Sequence, residues 1–146
     1  MLDCDKGKLL RLNVKGDNVT LAITALYAGI LALIVVALAI NVTVHRAKLK
    51  VPLGDGGNPA MLRMIRLHAN AVEYLPLALV LMAIYEINGG SHTLLHIAGS
   101  VLIVGRILQT WNMWSTPMAG FGRITGQSST WLTIVALAGL NLWKLT

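Results

Sequence analysis

The sequence predicts an all-α protein built as a transmembrane four-helix bundle. Three observations lead there. Hydrophobic residues make up 55% of the 146-residue chain and charged residues only 12%. The mean hydropathy is +0.68, a balance that suits a membrane bundle and not a water-soluble globule. The apolar residues also gather into four segments separated by polar connections. The length corresponds to about one domain. Residues 1–18 are read as a polar N-terminal tail and 19–146 as one four-span membrane domain.

The tail, MLDCDKGKLLRLNVKGDN, is too charged for the apolar core of a signal peptide. It reads as an unstructured tail or, in part, a cloning remnant. Val19 to Val44 carries no charge and is long enough to span a bilayer with tilt. HRAKLKVPLGDGGNPA (45–60) joins the first two helices. Its GDGGNP is a turn cluster, with Gly for positive φ and Pro59 to open the next helix. The glycines do not read as a phosphate cradle, since no strand precedes them and no GK[ST] follows. Leu67 to Ile87 is the second span, with a polar cluster at its start and Glu86 at its end. NGGSH (88–92) makes a brief hairpin. Leu94 to Leu108 is the third span, with Arg106 near its exit. WSTPMAGFGRITGQ (114–127) is read as a long loop, and Ser128 to Trp143 as the fourth span. Trp111, Trp114, Trp131 and Trp143 fall near predicted helix ends, the headgroup level where amphipathic rings anchor.

Several function classes are disfavoured. The formal charge is +6, but the basic residues sit in the tail, in short loops and near helix ends. Anionic headgroups or an anionic substrate explain them better than nucleic acid does. Cys4 is the single cysteine, so no intrachain disulfide forms. His92 and His96 are spaced to share a metal but lack a third ligand, so no metal is expected. Asp55 is the only aspartate beyond the tail and lies in a turn, which leaves Ser-His-Asp catalysis without support. Arg46, Lys48, Lys50, Arg63, Arg66 and Arg123 fall on one side, whereas Lys144 is alone on the other once the tail is set aside. The basic 45–66 loop is therefore expected to be cytoplasmic.

The cluster RMIRLHANAVEYLP (63–76) carries the functional signal. At about 100° per residue, Arg63, Arg66, Asn70, Glu73 and Tyr74 share one arc of about 100°, and His68 falls on the far side. Polar groups inside a membrane are costly and face a protein interior or a wet cavity. The interior of one four-helix chain is thin, so the stripe is expected to face other copies. Glu73 is the expected counter-ion of Arg106, because an unpaired buried carboxylate is costly. One reading of the stripe is structural: Arg, Asn and Glu on facing helices fix register. The other is a ligand site. Guanidinium forks fit carboxylates and glutamate accepts an ammonium. A small peptide with two carboxylates and one ammonium suits such a set. Glutathione has these groups and adds a thiol whose thiolate is a nucleophile.

Arg66, Asn70, Glu73, Tyr74 and Pro76 form an R-x-x-x-N-x-x-E-Y-x-P pattern. It resembles the second helix of the MAPEG family, membrane-associated proteins of eicosanoid and glutathione metabolism, and is most similar to the bacterial members. The likeness covers most of the chain from about Leu21, including GDGGNPA before the motif and Gly105-Arg106 late in the third helix. It implies a homotrimer of four-helix bundles in a bacterial inner membrane. Its implied substrate is glutathione, bound between subunits near the cytosolic face and used against a lipophilic small molecule. By resemblance, Arg66, His68, Asn70, Glu73 and Tyr74 hold glutathione, Arg46 contributes from the adjoining subunit, and Arg123 stabilises the thiolate. The family's enzymes commonly carry tyrosines at the end of the third helix. Here that stretch reads QTWNMW (109–114). Two functions follow: a glutathione-dependent transferase or peroxidase, or a non-catalytic member that binds a lipid or partner and uses the stripe for trimer packing.

Overall fold

The computed structural model describes residues 13–14, 17–18, 20–115 and 121–144. Four helices make up the membrane domain: α1 (Ala22–Leu49), α2 (Pro59–Ile87), α3 (His92–Ser115) and α4 (Phe121–Trp143). In the tail, a two-residue antiparallel pair sets Asn13 opposite Asn18 and Val14 opposite Asp17. Windows of α1, α2 and α3 reach mean hydropathies of 2.7, 1.5 and 1.4, enough to cross a membrane. The fourth helix starts polar, at GRITGQSST, and its apolar run is shorter.

Each helix exceeds its apolar segment. α1 continues past His45, Arg46 and Lys48, and closes where Lys50 takes a left-handed conformation (φ 54°) and its N–H meets the Ala47 carbonyl. α2 begins eight residues before Leu67. The Asn58 side chain accepts from the Ala60 and Met61 amides, and Pro59 sits at the first helical position, where its missing N–H is harmless. α4 begins at Phe121, so most of the stretch read as a loop over 114–127 is helical. The reason is common to all three differences. Hydropathy marks only the part of a helix that lies in hydrocarbon, whereas the backbone ladder continues until a cap or turn stops it. α2 runs helical through Pro76, which leaves the Val72 carbonyl without its usual donor four residues on.

The helices pack around one apolar seam. Tyr27, Leu31 and Leu38 of α1 meet Leu67, Ala71, Leu75, Ala78, Met82 and Tyr85 of α2, with Leu95 and Leu102 of α3 and Leu137 of α4. The α2 contributors recur at three- and four-residue intervals, the helical period. The outward faces of α1 (Leu26, Leu33, Val36, Ile40) and α2 (Leu77, Val80, Ile84) are apolar and exposed, as lipid contact requires.

Candidate functional site

The early start of α2 places all of RMIRLHANAVEYLP in regular helix, so its polar groups fall as helical spacing requires. The buried face of α2 is Met64, Leu67, Ala71, Leu75 and Ala78. The polar stripe runs along one flank of that face and outward from it. Arg63, Asn70 and Tyr74 are half-buried, and Arg66 and Glu73 are exposed. His68 is half-buried on the opposite flank, away from the stripe. Among the described residues, no hydrogen bond or ion pair engages Arg66, Asn70 or Glu73. The Arg63 Nε is buried without a partner. The Tyr74 ring stands edge-on to Trp131 of α4, with centroids 6.1 Å apart and an interplanar angle of 68°. Beyond Glu73 the same outward face continues as Leu77, Val80 and Ile84, all exposed. One helix face thus joins charged and amide groups to an apolar strip along the bundle axis.

The expected Glu73–Arg106 ion pair does not form within the chain. Arg106 is 1% exposed. Its Nη1 donates to Gln109 Oε1 (2.9 Å) and its Nη2 to Thr130 Oγ1 (2.9 Å). The pairing fails because Glu73 points outward from α2 while Arg106 points into the α3–α4 interface. Gln109, also 1% exposed, passes the contact on, donating from Nε2 to Gln127 Oε1 at 3.1 Å. The helices are close enough for this because glycines face each other. A methyl on Gly126 would lie 2.6 Å from the Gly105 carbonyl oxygen and 2.8 Å from Gln109 Cβ.

Arg46 lies in the last turn of α1, off the stripe. Its Nη1 donates to the carbonyls of Gly54 (2.8 Å) and Val51 (3.4 Å), pinning the first loop. Within one chain it therefore organises the loop. Arg123 occupies the first turn of α4, and its side chain lies outside the described residues, as does that of Trp114. Trp111 and Trp143 are exposed near helix ends, as interfacial anchors are, whereas the early start of α4 puts Trp131, expected near a helix end, at the middle of that helix. His92 and His96 join no group of metal-binding side chains among the described residues. His96 instead shares its Nδ1 with the Tyr27 hydroxyl at 3.1 Å.

Sequence reasoning missed Gln109, Gln127 and Thr130 as partners of Arg106. One signal was present: Arg106 and Gln109 are three residues apart on one helix, a spacing at which side chains meet. The α4 partners had no such signal: Gln127 read as loop, and Thr130, inside the predicted fourth span, meets Arg106 only through the packing of two helices.

Four helices with apolar outward faces define a multi-pass α-helical membrane protein with a polar stripe on its second helix. The MAPEG family model matches residues 24–143. The chain is similar to the inner membrane protein YecN of Escherichia coli K12, with 36% identity over 123 residues, covering 84% of this chain and 92% of the relative. The YecN protein of Escherichia coli O6:H1 CFT073 matches to the same extent. The chain belongs to the MAPEG family, and it is a multi-pass protein of the bacterial inner-membrane type.

Proposed function

We propose that the protein is a glutathione-dependent transferase or peroxidase that works as a homotrimer in the membrane. One observation carries the reading. Arg66, Asn70 and Glu73 are turned outward at the start of a membrane span, with no partner in their own chain among the described residues. Charges in that position need a neighbour or a polar ligand. A second copy would close the site, and glutathione supplies carboxylates for the guanidinium and an ammonium for Glu73. Tyr74 adds a hydroxyl beside them. The apolar strip at Leu77, Val80 and Ile84 offers a lipophilic electrophile or hydroperoxide a path from the bilayer to the thiol. Arg123 would hold the thiolate, and Arg46 would reach the ligand from the adjoining copy with the guanidinium nitrogens its loop contacts leave over. In the transferase reaction sulfur forms a bond to the electrophilic carbon, and the leaving group departs with the bonding pair. The basic 45–66 loop would face the cytoplasm, where glutathione is met.

A second reading is favoured by the absence of tyrosine from QTWNMW and by the burial of Gln109, which keeps that amide from a ligand. In it the protein is non-catalytic, binds a lipid or partner, and uses the stripe only for trimer packing. Titration of the purified protein with glutathione, followed by thiolate absorbance, separates the two. The enzyme reading expects a saturable thiolate signal and conjugation of a test electrophile, both lost in Arg66→Ala. No binding at millimolar glutathione overturns it. The packing reading expects Glu73→Gln to dissociate the oligomer in mild detergent without any ligand effect, and an intact oligomer overturns that.

A further inference from the structure

The buried polar chain between α3 and α4 has a geometry that a simple packing contact does not need. Arg106 holds a positive charge in a membrane span with no carboxylate bound to it among the described residues. Its two contacts are neutral, and its Nε has no partner. Burying a guanidinium this way is costly, so the contacts it does make are held firmly. Gln109 carries one of them across to α4, through Gln127. Thr130 takes the other Nη and returns its own hydroxyl to the Gly126 carbonyl at 3.2 Å. Gln127 and Thr130 together fix which side of α4 faces α3.

That choice also settles which side of α4 turns toward α2. Trp131 follows Thr130 directly and packs edge-on against Tyr74 of the polar stripe. A rotation of α4 would carry Trp131 away from the α2 stripe.

We propose that Gln109 is a positioning residue. Bridging buried Arg106 to Gln127, it holds the rotation of α4 together with the Arg106–Thr130 contact, and thereby keeps Trp131 against Tyr74 of the polar stripe. Gln109 is too buried to touch a ligand and acts through α4 alone. The functional consequence rests on the glutathione reading above, in which Arg123 of the same helix holds the thiolate, whereas the effect on helix rotation does not.

The test uses the full chain with Cys4→Ser and spin labels on cysteines at Leu108 of α3 and Ser128 of α4, both exposed. Gln109→Met removes the bridge and keeps the length. The label-to-label distance distribution should shift or broaden. Glutathione affinity should stay within about twofold, since the stripe is intact. The thiolate signal per bound glutathione should fall about three- to tenfold, the effect of one lost hydrogen bond of this kind. Gln109→Glu should restore both readouts, because a carboxylate still accepts from Arg106 and from the Gln127 amide. An unchanged distance distribution in Gln109→Met overturns the proposal. So does an equal loss of affinity and thiolate signal, which would make Gln109 a ligand contact. If the parent protein binds no glutathione, the enzyme reading falls, and the distance measurement still decides whether Gln109 holds the rotation of α4.

Discussion

Tyr27 shows how a single polar atom is settled in this bundle. The ring is buried on α1, and its hydroxyl lies 3.1 Å from both Nδ1 and the carbonyl of His96 and 3.2 Å from Ser100 Oγ. Gly99 makes room for it, since a methyl there would overlap the Tyr27 ring. Two outcomes follow for purified protein in detergent. Tyr27→Phe should cost about 1 kcal/mol in unfolding free energy, the net worth of a buried hydrogen bond. Gly99→Ala should cost about 1–3 kcal/mol by overpacking. A thermal denaturation series that ranks Gly99→Ala as neutral would remove the ring-on-glycine contact from the account. Asn141 is handled in the same manner, donating to the carbonyls of Leu81 (3.0 Å) and Leu137 (2.9 Å) and so tying α4 to α2.

At the scale of elements, the end of the bundle opposite the stripe is closed by cross-helix caps. The two Glu86 carboxylate oxygens accept from the Ile23 amide (2.9 Å) and the Thr24 amide (2.8 Å). A carboxylate at a helix N-terminus satisfies orphan donors and meets the positive end of the dipole. Lys144 does the converse at the end of α2, donating to the carbonyls of Asn88 (2.7 Å) and Gly89 (2.8 Å). Glu86→Gln keeps one acceptor and presents an amide donor to the other N–H. Faster hydrogen exchange is expected at one of Ile23 and Thr24, with a loss of about 1 kcal/mol. Unchanged protection of both amides would show that α1 does not depend on this cap. The α3–α4 contact depends instead on glycine. Gly126→Ala would push a methyl into the Gly105 carbonyl, whereas a methyl on Gly139 meets nothing within 4 Å. Gly126→Ala should lower the melting temperature, and Gly139→Ala should hold or raise it, by up to about 1 kcal/mol of helix propensity.

At the scale of the whole molecule, α1 and α2 have 28 and 29 residues. Each is therefore about 42–44 Å long at ~1.5 Å per residue, against a hydrocarbon core of about 30 Å. The excess carries the first turns of α2 to headgroup level, and the stripe descends from there toward Glu73. An outward Glu73 and Arg66 on a single bundle leave charge facing lipid, which association relieves. The homotrimer proposed above expects a detergent-corrected mass of about three times the 15.7 kDa chain by light scattering. A monomeric mass would leave the stripe without a neighbour and count against both functional readings.

Fold class and the identity of the polar face were legible in the chain itself. Wide apolar segments can only be spans, and helical spacing alone aligns Arg63, Arg66, Asn70, Glu73 and Tyr74 and sets His68 apart. These properties are local: they depend on residue type and on a fixed rotation per residue. The helix ends were less legible, because Asn58 and Lys50 stop or start helices in polar sequence where hydropathy is silent. The partners of Arg106 were not legible at all. Charge suggested Glu73, yet the tertiary arrangement turned that carboxylate outward and put Gln109 and Thr130 at the guanidinium. Which side chains meet across helices depends on the rotation and separation of whole elements. Here the close approach of Gly105 and Gly126 sets the separation and the contacts of Arg106 and Gln109 with α4 hold the rotation, and no spacing within a single helix encodes either.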